Sequence, residues 1–327
     1  MLYPFIFQPI FKERIWGGRN LAKLFGKILP GEQPIGESWE ISDRPGDASV
    51  ISNGPFAGKD LHWLMENYPK ELLCEAHAPN GRFPLLIKLL DAQEKLSLQV
   101  HPPAAKALEL GGEPKTEMWY IADAAPGAEL YVGLRRGVTP VDFESKVRDG
   151  SVADCFHRIR VKTGDAMFLP SGRVHAIGAG LVIFEIQQNS DTTYRVFDWN
   201  RVGLDGKSRE LHIEQSLASI DFTDFEPGIV APKISENPNL IVRRLVRDPL
   251  FIVELWKTRN ADTVLWRKSE MQIIGVVTGT AVISSTTSDS ALKLAAGEFC
   301  LIPAGLPAVE LATAPGSEFL RVTAGKS

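Results

Sequence analysis

The stretch LSLQVHPP, residues 96–103, sets Ser97, Gln99 and His101 in alternation with Leu96, Leu98 and Val100. Period-two alternation marks a half-buried strand, so a hydroxyl, an amide and an imidazole are expected on one face and the aliphatic set on the other. A second alternating stretch, KTEMWYI at 115–121, sets Lys115 and Glu117 on one face, and His175 follows a Pro-Ser-Gly corner at 170–172. Each of these residues alone has an ordinary reading as a satisfied polar side chain. Together, two neutral imidazoles and a carboxylate form a reasonable ligand set for zinc or a similar divalent ion. They lie far apart in sequence, so only the fold can bring them together.

The elements that would do so are short strands. Twenty-eight glycines and 22 prolines punctuate apolar segments such as PLLIKLL (84–90), ELYVGL (129–134), LVIFEIQ (181–187), NLIVRRLV (239–246) and LFIVELW (250–256). This spacing predicts a mostly β protein of sandwich or barrel type. Helical periodicity is confined to Asp60–Tyr68, Lys70–His77, a segment opened by Thr139-Pro140, and Ser208–Ser219. Thr139 has the character of a helix cap and Pro140 of a first helical residue. Trp16-Gly17-Gly18 reads as a turn anchored by a buried indole.

An internal repeat divides the chain. GDAMFLPSGRVH at 164–175 recurs as GEFCLIPAGLPA at 297–308, with glycine, acid, proline and second glycine all conserved at an offset of 133. Each copy reads as a turn, a four-residue strand and a Pro-x-Gly corner that redirects the chain. Two related sandwich modules are therefore expected, residues 1–225 and 226–327. His175 of the first copy is Ala308 in the second, so any binding role of that histidine belongs to the first module alone.

The 327 residues carry a net charge of −4 and no basic block, which gives no footing for nucleic-acid or anionic-membrane binding. The opening LYPFIFQPIF is broken by two prolines and followed by Lys12, Glu13 and Arg14, unlike a secretory signal or a membrane span. Cys74, Cys155 and Cys300 are odd in number and widely spaced, which suits a reducing, cytoplasmic setting.

FPLLIKLLDAQEKLSLQVHP (83–102), KTEMWY, GDAMFLPSGRVHAIGAG (164–180), EIQQNSDTTYRVFDWNR (185–201) and ERIWGG (13–18) resemble, in this order, the type I mannose-6-phosphate isomerases. The length resembles the short bacterial form. The resemblance covers most of residues 1–215 and implies a zinc enzyme built on cupin jelly-roll sandwiches, the second of them degenerate. It implies one zinc ion per chain on Gln99, His101, Glu117 and His175; the glutamine is a ligand that spacing alone would not nominate. The implied reaction interconverts mannose 6-phosphate and fructose 6-phosphate by moving a proton between C2 and C1 through an enediol.

Lys88, Ser97, Lys115, Glu185 and Arg195 match positions lining the family's active site. Arg195 and Lys115 are expected to be catalytic or charge-stabilising, with Glu185 a rival for the proton-transfer role. Arginine stays protonated, so Arg195 suits an enediolate or a phosphate better than it suits a base. Lys88 and Ser97 are expected to bind substrate, either at the phosphate or by orienting other groups. Glu37, in GESWEIS, is a further candidate for the pocket. Three rival readings stay open: another sugar or sugar phosphate, a cupin iron oxygenase, and a non-catalytic sugar-binding cupin.

Overall fold

The structure is a computed structural model that describes residues 1–202, 206–266, 270–285 and 288–325. Four large sheets account for most of it. The first is antiparallel and runs Ile10–Gly18, Ile35–Ile41, Leu85–Ala92, Leu181–Gln188, Glu117–Ala124, Ala166–Leu169. Its partner runs Tyr194–Phe197, Leu98–Val100, His175–Ile177, Glu129–Leu134, Phe156–Arg160.

The C-terminal third repeats this plan. Its larger sheet runs Lys233–Glu236, Leu240–Arg247, Phe251–Thr258, Glu318–Ala324, Gln272–Thr278, Phe299–Ile302. Its smaller sheet runs Asp262–Trp266, Val309–Thr313, Thr280–Ser285, Ser288–Ala295. In each larger sheet the strand of the repeated motif pairs at the same edge, Ala166–Leu169 on Glu117–Ala124 and Phe299–Ile302 on Gln272–Thr278. Both motif strands are entered through a glycine with positive φ, +91° at Gly164 and +79° at Gly297, a conformation that excludes most side chains.

One apolar core spans both copies. Phe5, Phe7, Leu64 and Phe184 share it with Phe251, Phe299, Leu301 and Val322. The apolar N-terminal segment is the strap between them: Phe5 and Leu301 exchange backbone hydrogen bonds of 2.8 and 2.9 Å. Each fully buried phenylalanine contributes roughly 1.5–3 kcal/mol. No helix among the described residues is long and apolar enough to cross a membrane.

The helix Pro140–Asp149 starts as its sequence predicts, with Thr139 and Asp142 forming a reciprocal capping box. Two other helices are shorter than their periodicity implies. The 208–219 segment becomes helical only at Ile213, because His212 is drawn to the neighbouring strand through its N–H to the Arg195 carbonyl at 2.8 Å. The helix after Pro69 stops at Leu73; Cys74 takes φ +55°, and the His77 N–H turns away to the Gly325 carbonyl. The Trp16-Gly17-Gly18 segment lies in the strand Ile10–Gly18 and forms no turn. Its glycines serve a close approach instead: a Cβ on Gly17 would lie 2.4 Å from the Gly36 nitrogen.

Candidate metal centre and cavity

Leu98 and Val100 point into the core, as the alternation requires, and the strand ends at Val100, one residue before His101. His175 stands opposite Gln99 in the adjoining strand, so the amide and one imidazole become neighbours by register. Glu117 opens the strand of the facing sheet. The potential ligand atoms of His101, Glu117 and His175 thereby come within 4.8 Å of one another, with the three residues 1%, 0% and 1% exposed.

The hydrogen bonds around these groups fix what they can bind. His101 Nδ1 donates to the Thr192 carbonyl at 2.8 Å, and His175 Nδ1 donates to the Arg173 carbonyl at 2.9 Å. A carbonyl only accepts, so both rings carry their proton on Nδ1 and present a lone pair at Nε2. Those Nε2 atoms lie 3.5 and 3.4 Å from the two oxygens of Glu117. Neither Glu117 oxygen accepts a hydrogen bond, and neither does His101 Nε2, although all three atoms are buried. A buried polar atom without a hydrogen bond costs about 1–3 kcal/mol, a cost that the Lys115 ammonium, 3.2 Å from Glu117 Oε2, offsets in part. Lone pairs converging in this way fit a divalent cation. Gln99 Nε2 lies 3.3 Å from His175 Nε2, and a half-turn of the amide presents Oε1 to the same point.

The electrostatics agree. Burial, reinforced by Lys115, pushes His101 down to about 3, and burial likewise lowers His175, so both imidazoles are neutral at pH 7. Burial works to raise Glu117, but the Lys115 cation outweighs it, and the carboxylate is held well below its usual range. Lys115 Nζ lies 3.2 Å from Glu117.

Gln99 and Lys115, which adjoin the three clustered residues, line a cavity of about 430 Å³. Lys88, Ser97, Lys115, Glu185 and Arg195, all selected from sequence, line it. Lys88 lies 3.3 Å from Glu185 and 3.6 Å from Glu37. Trp119 Nε1 donates to Glu185 at 2.9 Å, and Trp39 Nε1 to Glu37 at 2.7 Å. Burial would raise Glu37, yet Lys88 and Arg14 bring it down to about 2; in Glu185 burial and the field of Glu117 prevail over Lys88, and its pKa is raised. Ser97 Oγ is 3.4 Å from Gln99 Oε1, and Arg195 is paired across the sheet with Gln99.

Glu37 does face the cavity, and so does Trp16, to which sequence gave only a packing role. Arg14 and Arg209 line it as well. Arg14 sits in a strand whose register breaks on both sides of Glu13, which blurs the alternation that would have exposed it. Arg209 lies in an irregular segment, where no periodicity operates.

The second copy carries a different chemistry at the same places. Leu169 faces Glu117, whereas Ile302 faces Gln272. Glu185 sits between Lys88 and Trp119, whereas Arg321 sits between Glu254 and Ile274. Lysine and glutamate are exchanged for glutamate and arginine. The Arg321 guanidinium donates to Gln272 at 2.7 Å and to Glu270 at 2.7 Å, and lies 3.3 Å from Glu254. A fixed internal cation thus occupies the heart of this module.

Residues 5–124 match the family described as phosphomannose isomerase type I, catalytic domain. Among curated relatives, the probable mannose-6-phosphate isomerase GmuF of Bacillus subtilis is 40% identical over 260 residues, 79% of this chain and 80% of that protein. The mannose-6-phosphate isomerase ManA of the same organism is 35% identical over 93% of this chain and 94% of its own. The crystal structure of the mannose 6-phosphate isomerase from B. subtilis superimposes with a TM-score of 0.89 at 31% identity, covering 98% of this chain and 99% of that one.

Proposed function

The chain belongs to the type I phosphomannose isomerases, and we propose that it interconverts mannose 6-phosphate and fructose 6-phosphate through an enediol. Gln99, His101, Glu117 and His175 hold one zinc ion per chain in this reading. The observation that supports it is the convergence of His101 Nε2 and both Glu117 oxygens, buried and without hydrogen bonds, beside Gln99 and Lys115, which line a cavity rich in cationic groups. When bound, the ion supplies a Lewis acid next to the sugar's C1 and C2 oxygens.

The side chains around it divide the remaining work. Glu185 removes the proton from C2 and returns it to C1, a role suited to a carboxyl whose pKa is raised by burial. Trp119 and Lys88 fix its orientation. Arg195 and Lys115 donate hydrogen bonds to the oxygen on which negative charge develops, and Arg195 remains protonated throughout. Ser97 orients the Gln99 amide. Lys88 takes part chiefly by placing Glu185 and Glu37, since two carboxylates already share its charge.

Residues 1–225 carry the catalysis in this account, in the cytoplasm. Residues 226–327 are a degenerate copy that buttresses the catalytic module through the shared core. A coupled assay of purified, metal-analysed protein tests the reading, with mannose 6-phosphate compared against other sugar phosphates and free sugars, with and without chelator. Zinc-dependent turnover of mannose 6-phosphate is the expected result. Turnover that survives complete metal removal, or that favours another sugar phosphate, overturns it.

A further inference from the structure

His101, Glu117 and His175 lie where the chain crosses between the two sheets of the first module. Residues 101–116 run from the strand Leu98–Val100 to Glu117–Ala124, beginning with His101 and delivering Glu117. Residues 170–174 run from Ala166–Leu169 to His175–Ile177 and deliver His175. Residues 189–193 make a third crossing, from Leu181–Gln188 to Tyr194–Phe197, and supply none of the cluster's side chains. The spacing of ligands from opposite sheets depends on how such crossings are tied to one another.

Thr192 ties the third crossing to both ends of the first. Its carbonyl accepts from His101 Nδ1 at 2.8 Å, and its hydroxyl oxygen accepts from the Glu113 N–H at 3.0 Å. Its own N–H donates to Ser190 Oγ at 3.2 Å, and Ser190 Oγ donates in turn to the Glu113 carbonyl at 3.2 Å. Both backbone polar groups of Glu113, just upstream of Lys115 and Glu117, are therefore bound to the third crossing. Arg44 clips the same two segments, its Nη1 donating to Glu113 Oε2 at 2.6 Å and to the Asn189 carbonyl at 2.9 Å. The segments pack closely: a Cβ on Gly112 would come within 2.6 Å of Thr192 Cγ2 and of the Tyr194 hydroxyl. His175 is oriented separately, through the carbonyl of Arg173, whose guanidinium is held by Asp224.

We propose that Thr192 is a positioning residue for the metal centre: its hydroxyl, anchored on the Glu113 N–H, holds its carbonyl where it orients His101 against Glu117. This rests on the metal-site reading above. Thr192 touches neither metal nor substrate and acts through His101. An imidazole fixed through its second ring nitrogen needs no ordering when the ion arrives, whereas a ring with a loose acceptor must be ordered on binding, at a cost in affinity. Because Glu113 leads into Glu117, the same hydroxyl links ligands that come from opposite sheets.

Three variants provide the test. Thr192→Val removes the hydroxyl at nearly constant volume, Thr192→Ser keeps it, and Gly112→Ala forces the two segments apart with Thr192 in place. Zinc affinity is read by competition with a chromophoric chelator, and Tm is measured on the metal-free proteins. Thr192→Val should bind zinc about 10–100-fold more weakly than wild type, the loss expected when a group orienting a metal ligand is removed. Its metal-free Tm should fall by no more than about 3 °C, the effect of a single hydrogen bond. Thr192→Ser should restore most of the lost affinity. Gly112→Ala should weaken zinc binding in the same direction, which keeps the test open if Thr192→Val does not fold. Wild-type zinc affinity in folded Thr192→Val or Gly112→Ala overturns the proposal and leaves the ligand set standing, as does a Thr192→Ser protein as weak as Thr192→Val. A wild-type protein that takes up no zinc overturns the metal-site reading itself, and the role of Thr192 with it.

Discussion

Replacing Lys88 by methionine tests the electrostatic frame of the site without touching a proposed metal ligand. The lysine is 3% exposed and lies 3.3 Å from Glu185 and 3.6 Å from Glu37, both buried. Methionine keeps most of the volume and removes the charge, leaving two carboxylates in a low-dielectric interior. Breaking a buried ion pair from one side costs roughly 3–5 kcal/mol. Unfolding entropy near 2.1 cal/mol/K per residue gives about 0.7 kcal/mol/K for 327 residues, so Tm should fall by about 4–7 °C. Glu185 then loses the cation that opposes burial and the field of Glu117, and its pKa should move further up. A base must be deprotonated to act, so the acidic limb of the kcat/KM profile should shift to higher pH. The assay is calorimetry together with a pH–rate profile on zinc-loaded protein. Adding Glu185→Gln to the Lys88→Met background should restore part of the lost Tm, because one of the stranded charges is then gone. An unchanged Tm and an unmoved acidic limb would refute the coupling of Lys88 to Glu185.

Two further expectations concern stability. In metal-free protein the buried His101 binds no proton until about pH 3, and burial lowers His175 as well, whereas the unfolded chain protonates both near pH 6.5. Stability should therefore be insensitive to these groups above pH 6.5. Below it, His101 should cost about 1.4 kcal/mol of stability per pH unit down to about pH 3, and His175 should add to the loss in the same direction. Denaturant titrations of the chelated wild type and of His101→Gln, which should lose one histidine's share of the slope, check this. In the second copy, Arg321→Met should lower stability by about 3 kcal/mol, from the loss of the Glu254 and Gln272 contacts, while zinc stays at one per chain by elemental analysis.

Much of the site was legible because strands write their faces into sequence. LSLQVHP announced which side chains leave the core, and the GDAMFLPSG and GEFCLIPAG motifs announced the duplication, because turn glycines and a corner proline survive where side-chain chemistry does not. The resemblance to a known family, and not the spacing, nominated Gln99. What sequence could not reveal lies where periodicity fails. Arg14 follows a register break, Arg209 belongs to an irregular segment, and Trp16 read as a structural aromatic until the strand around it turned its ring to the cavity. The exchange of Lys88 and Glu185 for Glu254 and Arg321 needed the sheet register to align the copies, since nothing in the intervening sequence marks those positions as equivalent.

X-ray absorption at the zinc edge of the loaded protein addresses the metal centre most directly. The account predicts a shell of nitrogen and oxygen donors at about 2.0–2.1 Å, outer-shell scattering from two imidazoles, and no sulfur. A shell containing sulfur at about 2.3 Å, or scattering from fewer than two imidazoles, would contradict it.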